Sequence, residues 1–164
     1  MATRIEHRAT FAHSLDDVFT AQTDERALRA RLDRVGGERA ELRDHEVTDR
    51  GVRYTLVQGI AADKLPSIVR SLRSGDIAVV RTHVWTRSGD HCTGRVTADV
   101  ADLPGRITAD TDLRPEGDGC AETTRGEVVV RVPLVGGKIE KFVAEQVTDL
   151  LEAETRAARQ WLAQ

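Results

Sequence analysis

Val128-Val129-Val130-Arg131-Val132-Pro133-Leu134-Val135-Gly136-Gly137 is a β-branched run halted by proline and glycine, and a long helical pattern follows it and ends near Trp161. In that pattern Ile139, Phe142, Val143, Gln146, Val147, Leu150, Leu151, Ala157, Ala158, Trp161 and Leu162 recur at three- and four-residue steps, which gives one apolar stripe. Lys138, Glu140, Lys141, Glu145, Asp149, Glu152, Glu154, Arg156 and Arg159 fill the remaining positions and read as a solvated face. About 25 helical residues span ~38 Å, the width of a small domain. No heptad continues elsewhere to make a coiled coil, so the stripe needs a sheet to lie across. Phe142, Val143, Val147, Leu150 and Leu151 are expected to face that sheet.

Upstream, the chain supplies the sheet. Ile5, His7, Ala9 and Phe11 alternate with charged residues, a half-buried strand. Ser14 and Asp24 are placed to cap two short helices, the second closed by Gly36-Gly37. Ala27, Leu28, Arg31, Leu32 and Val35 share one side of that second helix. Glu38 to Val47 is a polar strand suited to an edge, and a turn at Thr48 to Gly51 joins it to the strand carrying Val52, Tyr54, Leu56, Gln58 and Ile60. Leu65, Ile68, Val69 and Leu72 mark a short amphipathic insertion ended by Ser74-Gly75-Asp76, either packed on its own domain or closing over a cavity mouth. Ile77 to Arg87 is a strand with two competing phases: Arg81, His83 and Trp85 share one face, and Val80, Thr82 and Val84 share the other. The second phase is the cleaner core face but puts Trp85 outside, and a bulge would mix the two. Turns at Ser88 to Asp90, Asp102 to Gly105 and Pro115 to Gly119 punctuate three further strands, the last with Thr124, Gly126, Val128, Val130 and Val132 on one face. Hairpins with helices at both ends give an α+β domain, with 164 residues read as one domain.

The composition narrows the functional classes. Of 24 basic residues only Lys64, Lys138 and Lys141 are lysines, yet the net charge is −3 and no basic cluster is interleaved with the few aromatics. Nucleic-acid binding is therefore not expected. No run of about 18 apolar residues offers a membrane span, and no secretory leader precedes Ile5, so no integral membrane contact and a cytoplasmic location are expected. Cys92 and Cys120 read as reduced thiols, buried or half-buried; neither they nor any His-x-His spacing makes a metal site, and no cofactor is implied.

The order of elements resembles the helix-grip fold of the START-like (SRPBCC, Bet v 1-like) superfamily. More closely, Val128, Val130 and Val132, then Pro133-Leu134-Val135-Gly136-Gly137-Lys138-Ile139-Glu140, then Trp161-Leu162, resemble an uncharacterised bacterial START-like family of this length. The resemblance implies a curved seven-stranded antiparallel sheet wrapped around the long C-terminal helix, with two short helices after the first strand and a cavity between sheet and helix. It implies binding of lipids, sterols, polyketides or other apolar small molecules. Some members of the superfamily are cyclases or dehydratases, and others are chaperone co-activators. No catalytic residue carries over.

Ala9, Gly94, Ala98, Ala109, Thr111, Thr124 and Gly126 are small residues at inward positions, which favours an open cavity over a filled one. The expected function is non-enzymatic binding of an apolar or amphipathic small molecule there, by a monomer or homodimer. The expected ligand contacts are His7, Tyr54, Gln58, Arg81, His83, Trp85, Thr124, Phe142, Val143, Gln146 and Leu150. A few polar anchors among apolar walls is the usual make-up of such a site. Two rivals stand beside this reading: an enzyme using the same cavity, with His7 as its titratable group, and a protein-interaction module with a filled core. His13, His45 and His91 are expected to be exposed.

Overall fold

The computed structural model describes residues 2–72, 75–100 and 103–164. Among them, β1 (Thr3–Phe11) leads to α1 (Leu15–Thr23) and α2 (Glu25–Val35). Then come β2 (Glu38–Val47), β3 (Gly51–Ile60), a 3-10 turn at Ala62–Lys64 and the single-turn α3 (Ser67–Arg70). The strands β4 (Ile77–Ser88), β5 (His91–Val100), β6 (Gly105–Glu116) and β7 (Gly119–Val130) precede α4 (Gly136–Leu162). The turn residues Ser74 and Asp102 lie outside the described residues. One antiparallel seven-stranded sheet runs in the order β1-β7-β6-β5-β4-β3-β2, with the long helix against it: the α+β helix-grip arrangement.

Local chemistry accounts for the ends of the elements. Ser14 Oγ accepts from Asp17 N at 3.1 Å and starts α1, with Asp16 and Asp17 in the first turn where negative charge suits the helix dipole. Asp24 accepts from Arg26 N and Ala27 N at 2.9 and 3.1 Å and starts α2. At the head of α4 the backbone passes so close to β7 that a Cβ on Gly136 would lie 2.7 Å from Val130 O, so only glycine fits. Glu140, expected on the solvated face, is 3% exposed. Its Oε2 accepts from Val130 N at 2.9 Å and its Oε1 accepts from Thr3 Oγ1 at 3.1 Å. It thus fastens the first turns of α4 to β7 and β1, which is why a charged residue sits there.

The phase of β4 falls the way its valines argued against. Arg81, His83 and Trp85 point inward, while Val80 and Val84 are 37% and 42% exposed. Gly94 on the neighbouring strand decides it: a Cβ there would meet the Trp85 ring at 3.2 Å, so the indole lies flat over a position that offers no side chain. Phe19 meets the same ring edge-on, with centroids 6.0 Å apart. Gly94 therefore seats Trp85 rather than widening the cavity.

Three apolar clusters hold the layers together. One joins Leu28, Val18, Leu56, Trp85, Leu113 and Ala158, beneath α1, α2 and the end of α4. The second joins Leu65, Val69, Ile77 and Ile139 at the opposite end, under α3. The third joins Ile5, Val128 and Ala144 along β1 and β7. Cys92 and Cys120 are free and buried in the first.

Candidate functional site

Strand pairing sets out the concave face row by row. Trp85, Gly94, Thr111, Thr124 and His7 stand side by side across β4 to β1; the next row holds Tyr54, His83, Val96, Ala109, Gly126 and Ile5. Beyond it lie Leu56, Arg81, Ala98, Ile107 and Val128, and then Gln58 with Val79 and Ile60 with Ile77. On the other side of the Trp85 row, Glu122 pairs with Leu113 and Ala9. Facing the sheet, α4 presents Ile139, Phe142, Val143, Gln146, Val147, Leu150 and Leu151, then Glu154 and Thr155. The large middle residues of the helix are half-buried because they look at the sheet across a gap. That gap is a cavity of about 400 Å³.

All eleven residues expected from the sequence line this cavity. His7 is half-buried there, and Gln146 and Lys64, both exposed, stand with Gly37 where the cavity meets the surface. The polar partners opposite escape a reading of the sequence: Gln22 and Arg31 from the short helices, Glu122 from β7, and Glu154 from α4. Glu154, expected on the solvated face, is 7% exposed. Signals exist for three of the four. Arg31 shares the apolar spacing of α2, Glu154 follows Leu150 and Leu151 on their stripe, and extending the inward face of β7 back from Thr124 reaches Glu122.

These groups form a network at one end. Arg81 Nη2 donates to Glu154 Oε2 at 2.8 Å and Nη1 to Oε1 at 3.4 Å. Arg31 Nη2 donates to Gln22 Oε1 and, at 3.3 Å, to Ala21 O. Gln22 Nε2 donates to Glu122 Oε2 at 2.7 Å. Tyr54 Oη donates to Gln22 O at 3.0 Å and accepts from Trp85 Nε1 at 3.3 Å, while the Tyr54 ring stacks on His83 with centroids 4.7 Å apart. His45 is not free as expected: its Nε2 meets Thr23 O at 2.6 Å, and its ring stacks on the far side of Tyr54. His91 likewise bonds Asp112, and His13 is half-buried.

Burial and neighbouring charge set the protonation of the network. Burial pushes the Tyr54 hydroxyl up to about 12. Burial, reinforced by the Arg81 charge, pushes His83 down to about 3, so it is neutral near pH 7. Burial raises Glu122 to about 7, with Arg31 and the Gln22 amide pulling the other way. Burial would raise Glu154 too, but Arg81 and Arg31 outweigh it and hold the carboxyl well below the usual range. The polar end therefore carries two guanidinium charges, one fixed carboxylate and one carboxyl poised near neutrality. Among the described residues no group of three metal-ligating side chains occurs, and no helix is long and apolar enough to cross a membrane.

Residues 6–162 match the model of a family described as a protein of unknown function, DUF2505. The chain belongs to this family. Among relatives of the DUF2505 protein are uncharacterized proteins of Mycobacterium tuberculosis and Mycobacterium bovis, each 26% identical over 160 residues, 95% of this chain and 87% of the relative. Among solved structures, norcoclaurine synthase from Thalictrum flavum superposes with a TM-score of 0.64 at 18% identity, covering 100% of this chain and 88% of that one. A protein of Thermus thermophilus reaches 0.62 at 15% identity, covering 98% of this chain and 97% of that one. Ara h 8.0201 reaches 0.62 at 11% identity, covering 99% of each chain. The DUF2505 chain shares with them the Bet v 1-like helix-grip fold; fold alone leaves the function to the site.

Proposed function

We propose that the DUF2505 protein binds an apolar or amphipathic small molecule between its sheet and α4. The observation that carries this reading is the two-ended cavity of about 400 Å³. Leu65, just before α3, with Val69, Ile77 and Ile139 lines one end, and the Arg31, Arg81, Tyr54 and Glu122 network closes the other. The volume lies within the ~300–1,000 Å³ range of ligand pockets. Apolar walls supply affinity at roughly 25 cal/mol per Å² buried, and the polar end fixes orientation. Incubating the protein with a total lipid extract, followed by native mass spectrometry, tests it. A discrete adduct is expected, and it should disappear in Val143→Trp, which fills the cavity. An unchanged mass spectrum after exposure refutes the reading.

A second reading is favoured by one observation: Glu122 is a cavity carboxyl that burial raises to about 7, the range in which proton transfer is efficient. Norcoclaurine synthase, of like fold, is an enzyme by name. In this reading Glu122 moves a proton on a bound substrate. A turnover screen on whatever ligand is recovered, with Glu122→Gln as the control, separates it from simple binding.

A further inference from the structure

The polar end of the cavity has more donors than the protein uses. Arg31 directs Nη2 to Ala21 and Gln22, and its Nε has no partner among the described residues. Arg81 directs both terminal nitrogens to Glu154, and its Nε is likewise unmatched. His83 lays its ring on Tyr54 and leaves Nε2 without a partner. These three side chains are 6%, 8% and 8% exposed, and all line the cavity. Buried polar atoms without partners are rare, and each calls for an explanation. Guanidinium groups only donate, so the missing group is an acceptor.

Charge selects among acceptors. Arg31 and Arg81 carry two positive charges, and Glu154 answers one of them. Glu122, which gains its proton near neutrality, can stay uncharged beside an incoming anion and donate to it. One positive charge is left over. A single negative charge balances it; a phosphate monoester would bring a second charge against Glu154. The polar end is also the deep end, roofed by α1, α2 and the close of α4, while the exposed mouth residues Lys64 and Gly37 stand near the apolar end. At the ~30 Å³ a liquid water occupies, the cavity holds roughly a dozen heavy atoms.

We propose that Arg31, Arg81 and His83 form a carboxylate site, and that the protein binds a medium-chain carboxylic acid head-first, with its apolar tail toward Ile77 and Ile139. This rests on the binding reading above and adds the charge and direction of the ligand. Charge-assisted hydrogen bonds in a desolvated site are the strong ones, so the head governs selectivity.

Calorimetric titration of the full chain at pH 6.5 with decanoate, decanol, decyl phosphate and decyltrimethylammonium tests it. Decanoate should bind at least tenfold tighter than the other three. Arg31→Gln should abolish that preference, decanoate falling to the affinity that the same variant shows for decanol. The double variant Arg81→Gln/Glu154→Gln, which removes a donor but leaves the unbalanced Arg31 charge, should weaken the preference without abolishing it; circular dichroism checks that both fold. The wild-type ranking stands as a test even where a variant does not fold. Decanol equal to decanoate, or the ammonium or phosphate tightest, overturns the carboxylate site and leaves the binding reading intact. A preference lost in Lys64→Gln but kept in Arg31→Gln places the head at the mouth and overturns the direction. Binding of none of the four overturns both.

Discussion

Glu154→Leu removes the carboxylate that Arg81 meets at 2.8 and 3.4 Å, where each side chain keeps only 9% of its surface open. Arginine cannot shed its proton to escape, and Arg81 Nε already lacks a partner. Breaking a buried pair on one side costs about 3–5 kcal/mol because the survivor is left charged and unanswered. The pair borders the cavity instead of being packed on all sides, so the lower end, about 3 kcal/mol, is expected. For a chain of this size that is a fall in Tm of roughly 6–12 °C. Urea unfolding followed by tryptophan fluorescence measures it. The double variant Arg81→Met/Glu154→Leu should recover to within about 1 kcal/mol of wild type, since buried pairs seldom beat apolar replacements. The cycle belongs at pH 7 to 8. Glu154, its folded pKa held below the unfolded 4.5, contributes its full stability above pH 4.5 and loses it as pH falls through the folded value. His83, at about 3 folded against 6.5 unfolded, also lowers stability as pH drops from 6.5 toward 3, because the unfolded chain takes the proton first. A loss under 1 kcal/mol for Glu154→Leu at pH 7.5 would mean that the last turns of α4 are rotated, with Glu154 in solvent.

Glu122 works in the opposite sense: its folded pKa of about 7 lies above 4.5, so it destabilises the fold increasingly from pH 4.5 to 7, and Glu122→Gln should gain up to about 3 kcal/mol at pH 8 and nothing at pH 4 in paired denaturation curves. Tyr54→Phe deletes the donor to Gln22 O and strands Trp85 Nε1; a loss of about 1–3 kcal/mol is expected in urea, and no loss would contradict the network. Gly94→Val forces the Trp85 ring off its seat and should shift the tryptophan emission to longer wavelength as the indole meets water. Cys92 and Cys120, buried and raised in pKa by that burial, should resist a thiol reagent at pH 8 until denaturant is added; fast labelling of the folded protein would contradict their placement.

The frame was legible because its signals are periodic. The stripe of α4, the caps Ser14 and Asp24, and the turn residues between strands all act locally, and each element formed where its own residues asked for it. The cavity lining was legible for the same reason: once β1, β3 and β7 are in phase, His7, Tyr54 and Thr124 must share the concave face. What could not be read was how charged residues pair across elements. Arg81 and Glu154 lie on a strand and a helix far apart in sequence; Arg81 alone reads as a ligand contact and Glu154 alone as a solvated residue. Only their meeting makes burial tolerable, as it does for Glu140 with the Val130 amide. The phase of β4 stayed open for a different reason. Valine tolerates the outer face of a sheet, so hydrophobicity alone favoured Val80 and Val84, and the empty place at Gly94 that Trp85 fills lies on another strand.

The pairing of β1 with β7 has a kinetic consequence. Thr3 stands against Val128 and Phe11 against Cys120, so the first strand made is among the last to find its partner. Every other strand pair joins neighbours along the chain. The meander from β2 to β7 can zip hairpin by hairpin between chain neighbours, the longest connection being the α3 segment between β3 and β4, while β1 must search across most of the polypeptide, and loops of that length raise the barrier. During synthesis Ile5, Ala9 and Phe11 wait uncovered until residues near Glu127 appear. A refolding experiment should therefore show hairpin formation first and docking of the leading strand as the slow event, and the cavity, whose wall includes His7, should become competent only with that last step.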